Sequence, residues 1–178
     1  MKSVINRLVL IALVFMSGPA VADSINAESL MHKDIEKVVD EFKSAIVNKD
    51  KAAFLSLFYS GTVSWVGVIS EKTKAMLVKK DPRFAQQPRI MPGTPSEFIG
   101  GIAANEYTTR EDTENLRIYA DGNVANVMFD YTLYKNDVLN NWGKENWQLL
   151  HTVDGWKINA VNFSYTMNPA LFGQSQSD

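Results

Sequence analysis

The chain has 178 residues, 46% of them hydrophobic and 21% charged, with 18 basic groups against 20 acidic ones, two histidines and no cysteine. It therefore lacks the basic excess of a nucleic-acid binder, and thiolate nucleophiles and cysteine-ligated metals are excluded. His32 and His151 make no HExxH or similar pairing, so no metal is predicted, and no other motif calls for a cofactor.

Residues 1–22 read as a signal peptide. Lys2 and Arg7 form a positive n-region, Leu8 to Met16 an apolar stretch too short to span a bilayer comfortably, and Ala20-Val21-Ala22 a small-x-small cleavage site after Gly18-Pro19. Cleavage after Ala22 predicts a periplasmic or secreted protein with no stable membrane anchor. Loss of Lys2 and Arg7 takes the net charge to about −4. Residues 23–172 are long enough for one domain with a full core and contain no linker-like run, while the polar tail 173–178 is predicted to fray. Without disulfides, stability must come from packing.

Ile35, Val38, Val39, Phe42 and Ile46 recur at helical spacing and predict an amphipathic helix over 28–47. Asp50 starts a shorter helix that buries Phe54, Leu57 and Phe58, and Ser60-Gly61 ends it before a strand over 62–69 containing Trp65 and Gly67. A helix capped by Ser70 covers 71–79. The Pro- and Gln-rich stretch 81–93 is either a flap over a cavity or a surface loop. Thr94, Pro95 and Glu97 then form a capping box with proline at the first helical position, predicting a helix over 95–104.

Four strand-like segments fill 107–166 as an antiparallel meander, with Asp121-Gly122 and Asp154-Gly155 as hairpin signals. Helices ahead of an uninterrupted sheet define an α+β chain whose curved sheet is covered by the N-terminal helices. Taking each Asp-Gly as a two-residue loop places Leu116, Ile118, Val127, Phe129, Leu149 and Ile158 on one inner face. An Asn136-Asp137 loop joins the middle strands only if a bulge intervenes. Placed at Trp142-Gly143, it sets Glu145 opposite Phe129 and Trp147 opposite Val127.

That register gathers Asp112, Glu114, Tyr131, Trp142, Glu145, Asn162 and Ser164 around Trp147, with Trp65 and His151 on the same lining. Aromatics with a few polar groups are the usual lining of a small-molecule pocket. Glu145 is the candidate catalytic residue, because a carboxylate among aromatics is pushed towards its protonated form and can serve as acid or base. Asp112 and Glu114 also fit a solvated edge, Asn162 and Ser164 ordinary strand-end polarity, and His151 a structural histidine.

The order helix, short helix, strand, capped helix and meander resembles the NTF2-like superfamily, with its SnoaL-like and ketosteroid isomerase-like branches. The resemblance covers residues 30–166 through FKSAIVNKDKAAFLSLF (42–58), DGNVANVMFDYTLY (121–134) and WGKENWQLLHTVDGWKI (142–158). It implies a cystatin-like cone with an internal pocket, and a homodimer through the outer sheet face, where Met128 and Tyr134 lie. It speaks against ketosteroid isomerase chemistry, because Phe42 and Val66 stand where that activity needs its tyrosine and its carboxylate base; only the protonated acid has a counterpart, Glu145. The expectation is a domain that binds a small, partly apolar ligand without catalysis, the alternative a lyase, isomerase or hydrolase using Glu145 as general acid/base.

Overall fold

The computed structural model describes residues 19–172, so residues 1–18 of the expected signal peptide and the tail 173–178 lie outside the described residues. Helix α1 (Pro19–Asn48) and helix α2 (Lys51–Ser56) come first, then strand β1 (Ser64–Ile69) and helix α3 (Glu71–Lys80). A 3₁₀ turn over Pro82–Gln86, strand β2 (Ile90–Pro92) and helix α4 (Pro95–Ala103) lead into strands β3 (Thr109–Ala120), β4 (Val124–Lys135), β5 (Val138–Thr152) and β6 (Gly155–Met167). The six strands form one curved, unclosed sheet in the order β2-β1-β6-β5-β4-β3, antiparallel except where β1 runs beside β6.

Local chemistry sets the helix starts. The side chains of Asp50, Ser70 and Thr94 accept from the backbone N–H three residues on, at 2.9, 3.2 and 3.1 Å, satisfying a donor that has no intrahelical partner. The predicted stripe of α1 is buried in full: Ile35, Val38, Val39, Phe42 and Ile46 pack on the concave face of the sheet. There Phe42 lies 4.7 Å from the ring of Trp147, and Phe129 meets the same indole edge-on at 5.0 Å. Such contacts add to the burial of the three rings.

The stretch 81–93 is tied to the body. β2 pairs with β1, Arg89 donates to the Ile69 carbonyl at 2.6 Å and pairs with Glu71, and Lys74 donates to the carbonyls of Phe84 and Gln87. The segment holds an edge strand that periodicity did not reveal, because three residues are too few to show a period of two.

The hairpins depart from the expected register in ways that decide the site. The first turn centres on Gly122-Asn123, with Gly122 at φ 93° and the Asp121 carboxylate accepting from the N–H groups of Asn123 and Val124. Ile118 thus faces Val127. Asn136-Asp137 is the second turn, both residues at positive φ as a type I′ turn requires. The third centres on Val153-Asp154, Thr152 pairing with Gly155, whose φ of 85° suits glycine.

Each long strand beyond β4 or before it also carries one extra residue, and each time the insertion involves an asparagine. The register slips at Asn115-Leu116 in β3, at Asn140 in β5 and at Asn159 in β6. The expected bulge between β4 and β5 is therefore present, but at Asn140 and not at Trp142-Gly143. Its purpose is fulfilled: Glu145 faces Phe129 and Trp147 faces Val127. Because side chains alternate with a period of two, one inserted residue transfers everything beyond it to the other face. Leu116, expected inside, sits in the β3 bulge and is 37% exposed.

Candidate functional site

The bulge at Asn115, which takes a left-handed φ of 55°, changes which acids of the polar run on β3 face inward. Beyond it Thr109 and Glu111 turn to the concave face and are buried, with Glu111 only 3% exposed and opposite Leu133. Asp112 and Glu114 go to the outer face, where Asp112 pairs with Arg110 and both are exposed. Sequence reasoning missed Glu111 by assuming a regular strand; the available signal was Asn115, a residue that tolerates the left-handed region.

Glu145, on β5, is 6% exposed and its Oε2 accepts from the indole Nε1 of Trp147 at 2.6 Å. Burial pushes its carboxyl up to about 7, and the indole donor holds it from rising further. Burial also drives Glu111 well above the usual range, the charge of Glu145 adding to the effect and Lys43 opposing it. The two carboxyls share one desolvated wall, so the first charge to form there holds the proton on the other. Near neutral pH the pair can offer one base and one acid.

Between them stands Tyr131, buried on β4. Its hydroxyl lies 3.0 Å from both Asn141 Oδ1 and the Ser164 carbonyl. Burial, and the neighbouring Glu145 and Glu111 charges, raise it above the usual phenol range. The Ser164 carbonyl reaches this position because Gly143 has no side chain: a Cβ there would lie 1.9 Å from that oxygen. Glycine at 143 thus serves a close approach and not the bulge expected of it.

These groups wall one end of a cavity of about 390 Å³. Trp65, Met91, Phe98, Ile102 and Phe163 supply its apolar wall, and Lys135, with its ammonium over the Tyr107 ring, also lines it. Size and lining are those of a small-molecule site.

Of the residues expected from sequence, the structure brings Trp65, Tyr131 and Glu145 to this cavity. Trp147 stands behind Glu145 as a fully buried donor. Trp142 pairs with Thr132 and Thr166 on the outer parity, because the β5 bulge falls ahead of it. The Asn159 bulge does the same to Asn162 and Ser164, both exposed, and puts Val161 and Phe163 inside. The Ser164 side chain accepts from Lys144 N–H at 2.9 Å, so only its carbonyl belongs to the site. His151 is exposed at the other end of the sheet, its ring 4.8 Å from Trp156. Val66, half-buried, does not line the cavity.

No protein-family model and no curated protein matches this chain. Solved structures do match in fold. An NTF2-like protein with a cystatin-like fold from Novosphingobium aromaticivorans aligns with a TM-score of 0.60 at 9% identity, covering 90% of this chain and 99% of that one. A protein provisionally described as a scytalone dehydratase, from the same organism, gives 0.60 at 12% identity over 80% and 89%. An NTF2-like superfamily protein from Salmonella enterica gives 0.57 at 18% over 83% and 99%.

Proposed function

This chain has the NTF2-like fold, and we propose that its cone takes up a small, partly apolar carbonyl or hydroxyl compound and moves a proton on it, as in an isomerase or lyase. The observation that carries the reading is the pair of buried carboxyls at one cavity, with Glu145 poised near neutrality. A general base is most effective when it titrates near the working pH, and this one has a proton-bearing neighbour. In the proposed step the Glu145 carboxylate takes a proton from the carbon next to a carbonyl. The C–H electrons form the enol double bond, and the carbonyl oxygen takes the Glu111 proton.

The reading differs from ketosteroid isomerase chemistry in its parts. Phe42 occupies the core and Val66 lies off the cavity, so neither supplies a tyrosine or a base. Structural neighbours include the provisional scytalone dehydratase, which keeps proton-transfer chemistry in view for this cone without assigning it.

A second reading, ligand binding without turnover, is favoured by Tyr131, whose hydroxyl hydrogen is taken by acceptors of the protein and so is not free for an oxyanion. Deuterium exchange separates the two. Incubated in D₂O with 2-indanone, the protein should accelerate exchange at the carbons beside the carbonyl, and Glu145→Gln should lower that rate by about 10²-fold or more. Retention of the ketone with exchange no faster than in buffer leaves the binding reading.

Two properties of the whole molecule are proposed with it. Export follows from the leader-like residues 1–22. A homodimer through the outer sheet face is supported by the exposed Val124 and Met128 there, and a monomer in light scattering at high micromolar concentration would refute it.

A further inference from the structure

Among the described residues, two fully buried polar side-chain atoms without a partner belong to cavity-lining residues, and both stand on adjacent inward positions of β3. Thr109 Oγ1 and Glu111 Oε1 are buried and have no hydrogen-bond partner, although both residues line the cavity. Their residues are 2% and 3% exposed. Elsewhere on the same wall, Glu145 has the Trp147 indole and Tyr131 has Asn141 and the Ser164 carbonyl. A buried polar atom without a partner is costly, and natural interiors leave few of them. Thr109 and Glu111 stand two residues apart on one strand face, with Cα atoms about 7 Å apart, so a side-chain rotation that opens the two oxygens to the cavity would bring both to one ligand edge.

We propose that Thr109 and Glu111 form the polar recognition subsite of the cone, and that they hold the hydroxyl of a neutral, ring-sized apolar molecule. The inference rests on the cavity being the ligand site and names the ligand's chemistry. A hydroxyl is both donor and acceptor, as is the threonine hydroxyl, and a protonated carboxyl is too. A ligand carboxylate would meet the Glu145 charge in a dry site. A ligand ammonium would gain from Glu145 but would face Lys43, which acts on Glu111, and Lys135, which lines the cavity. The apolar body would lie against Trp65, Phe98 and Phe163, whose rings form one connected cluster at 5.1 to 6.0 Å.

Calorimetric titration with four versions of one bicycle tests this: indane, 2-indanol, 2-aminoindane and indane-2-carboxylate. The expected result is 2-indanol binding about tenfold tighter than indane, with the amine and the carboxylate weaker than the alcohol. Thr109→Val, close to isosteric, and Glu111→Leu should each erode that preference while leaving indane affinity within about threefold. Glu111→Gln, which keeps a donor and an acceptor, should retain most of it. Equal affinity for indanol and indane, an amine or carboxylate that binds tightest, a preference that survives Glu111→Leu, or no binding of any of the four up to its solubility limit would overturn the proposal. Failure here is separable from failure of the proton-transfer reading. Preference for indanol without exchange on 2-indanone upholds the subsite and sinks the catalyst, whereas Glu145-dependent exchange without that preference does the reverse.

Discussion

The two ends of the concave sheet face share strands, parity and helix cover, yet they are built for different ends. Towards the Val153-Asp154 turn, Val127, Trp147, Leu149 and Ile158 are sealed beneath α1 and α2, all with essentially no exposure. Towards the Asn136-Asp137 turn, the same face carries Glu111, Tyr131 and Glu145 around an open cavity. Burial alone therefore does not distinguish core from site. What differs is the supply of partners: at one end dispersion and area suffice, while at the other two carboxyls are held against their tendency to ionise.

The largest effect separating the ends should come from the residue at their boundary. Trp147→Ala removes a fully buried indole from contact with Phe42 and Phe129 and deprives Glu145 of its donor. Loss of about 3–5 kcal/mol in urea unfolding is expected, and a loss under 1 kcal/mol would show that the sealed end is not the core.

The open end should reveal itself through pH. Glu145 and Glu111 keep protons in the folded chain over a range where the unfolded chain has released them, so the fold gains nothing from deprotonation there. Stability should be highest below about 4.5 as far as these groups are concerned, and should fall as pH rises from about 4.5 through about 7. The drop attributable to Glu145 is on the order of 3 kcal/mol, at about 1.4 kcal/mol per pKa unit. Glu145→Gln should flatten that part of the profile, and thermal melts across this window would read it. A profile unchanged by the substitution would mean that the carboxyl is not desolvated.

Gly143→Ala comes next. The added methyl collides with the Ser164 carbonyl and must displace the acceptor of Tyr131, at a cost of about 1–3 kcal/mol. A neutral result would mean that the strands separate freely at this point. Asn115→Ala, in a left-handed conformation, should lose about 1 kcal/mol, whereas Asn115→Gly should lose less. The smallest effects are expected from Asp112→Asn and Glu114→Gln, each within about 0.5 kcal/mol and without influence on ligand affinity, since both groups are exposed on the other face. If Glu114→Leu eroded the preference for indanol as strongly as Glu111→Leu, the assigned face of β3 would be wrong.

Much of the architecture is dictated locally and was legible in the chain itself. Asp50, Ser70 and Thr94 cap helices where the pattern predicts, the α1 stripe is buried residue for residue, and Asn136-Asp137 makes its turn. Glu145 was recoverable too, because any solution that put Trp147 opposite Val127 also carried Glu145 inward. These features depend on groups within a few residues of one another or on a single strand's parity, and such information is present in sequence.

Tertiary structure alone decided where the strands slip. Insertions at Asn115, Asn140 and Asn159 exchange Asp112 and Glu114 for Glu111, remove Trp142 from the lining, and replace Asn162 with Val161 and Phe163. A bulge costs little locally and can occupy several neighbouring positions, so its location is chosen by what must pack across two faces at once. Here that means Trp147 against Phe42 and Phe129, and Phe163 against Gly67, where a Cβ would meet its ring at 2.5 Å. The same holds for β2, whose three residues become a strand only because β1 offers an edge to pair with. Sequence determined the helices, the long strands and the identity of the inward aromatic ladder; the packing of distant elements determined which acid stands beside Glu145.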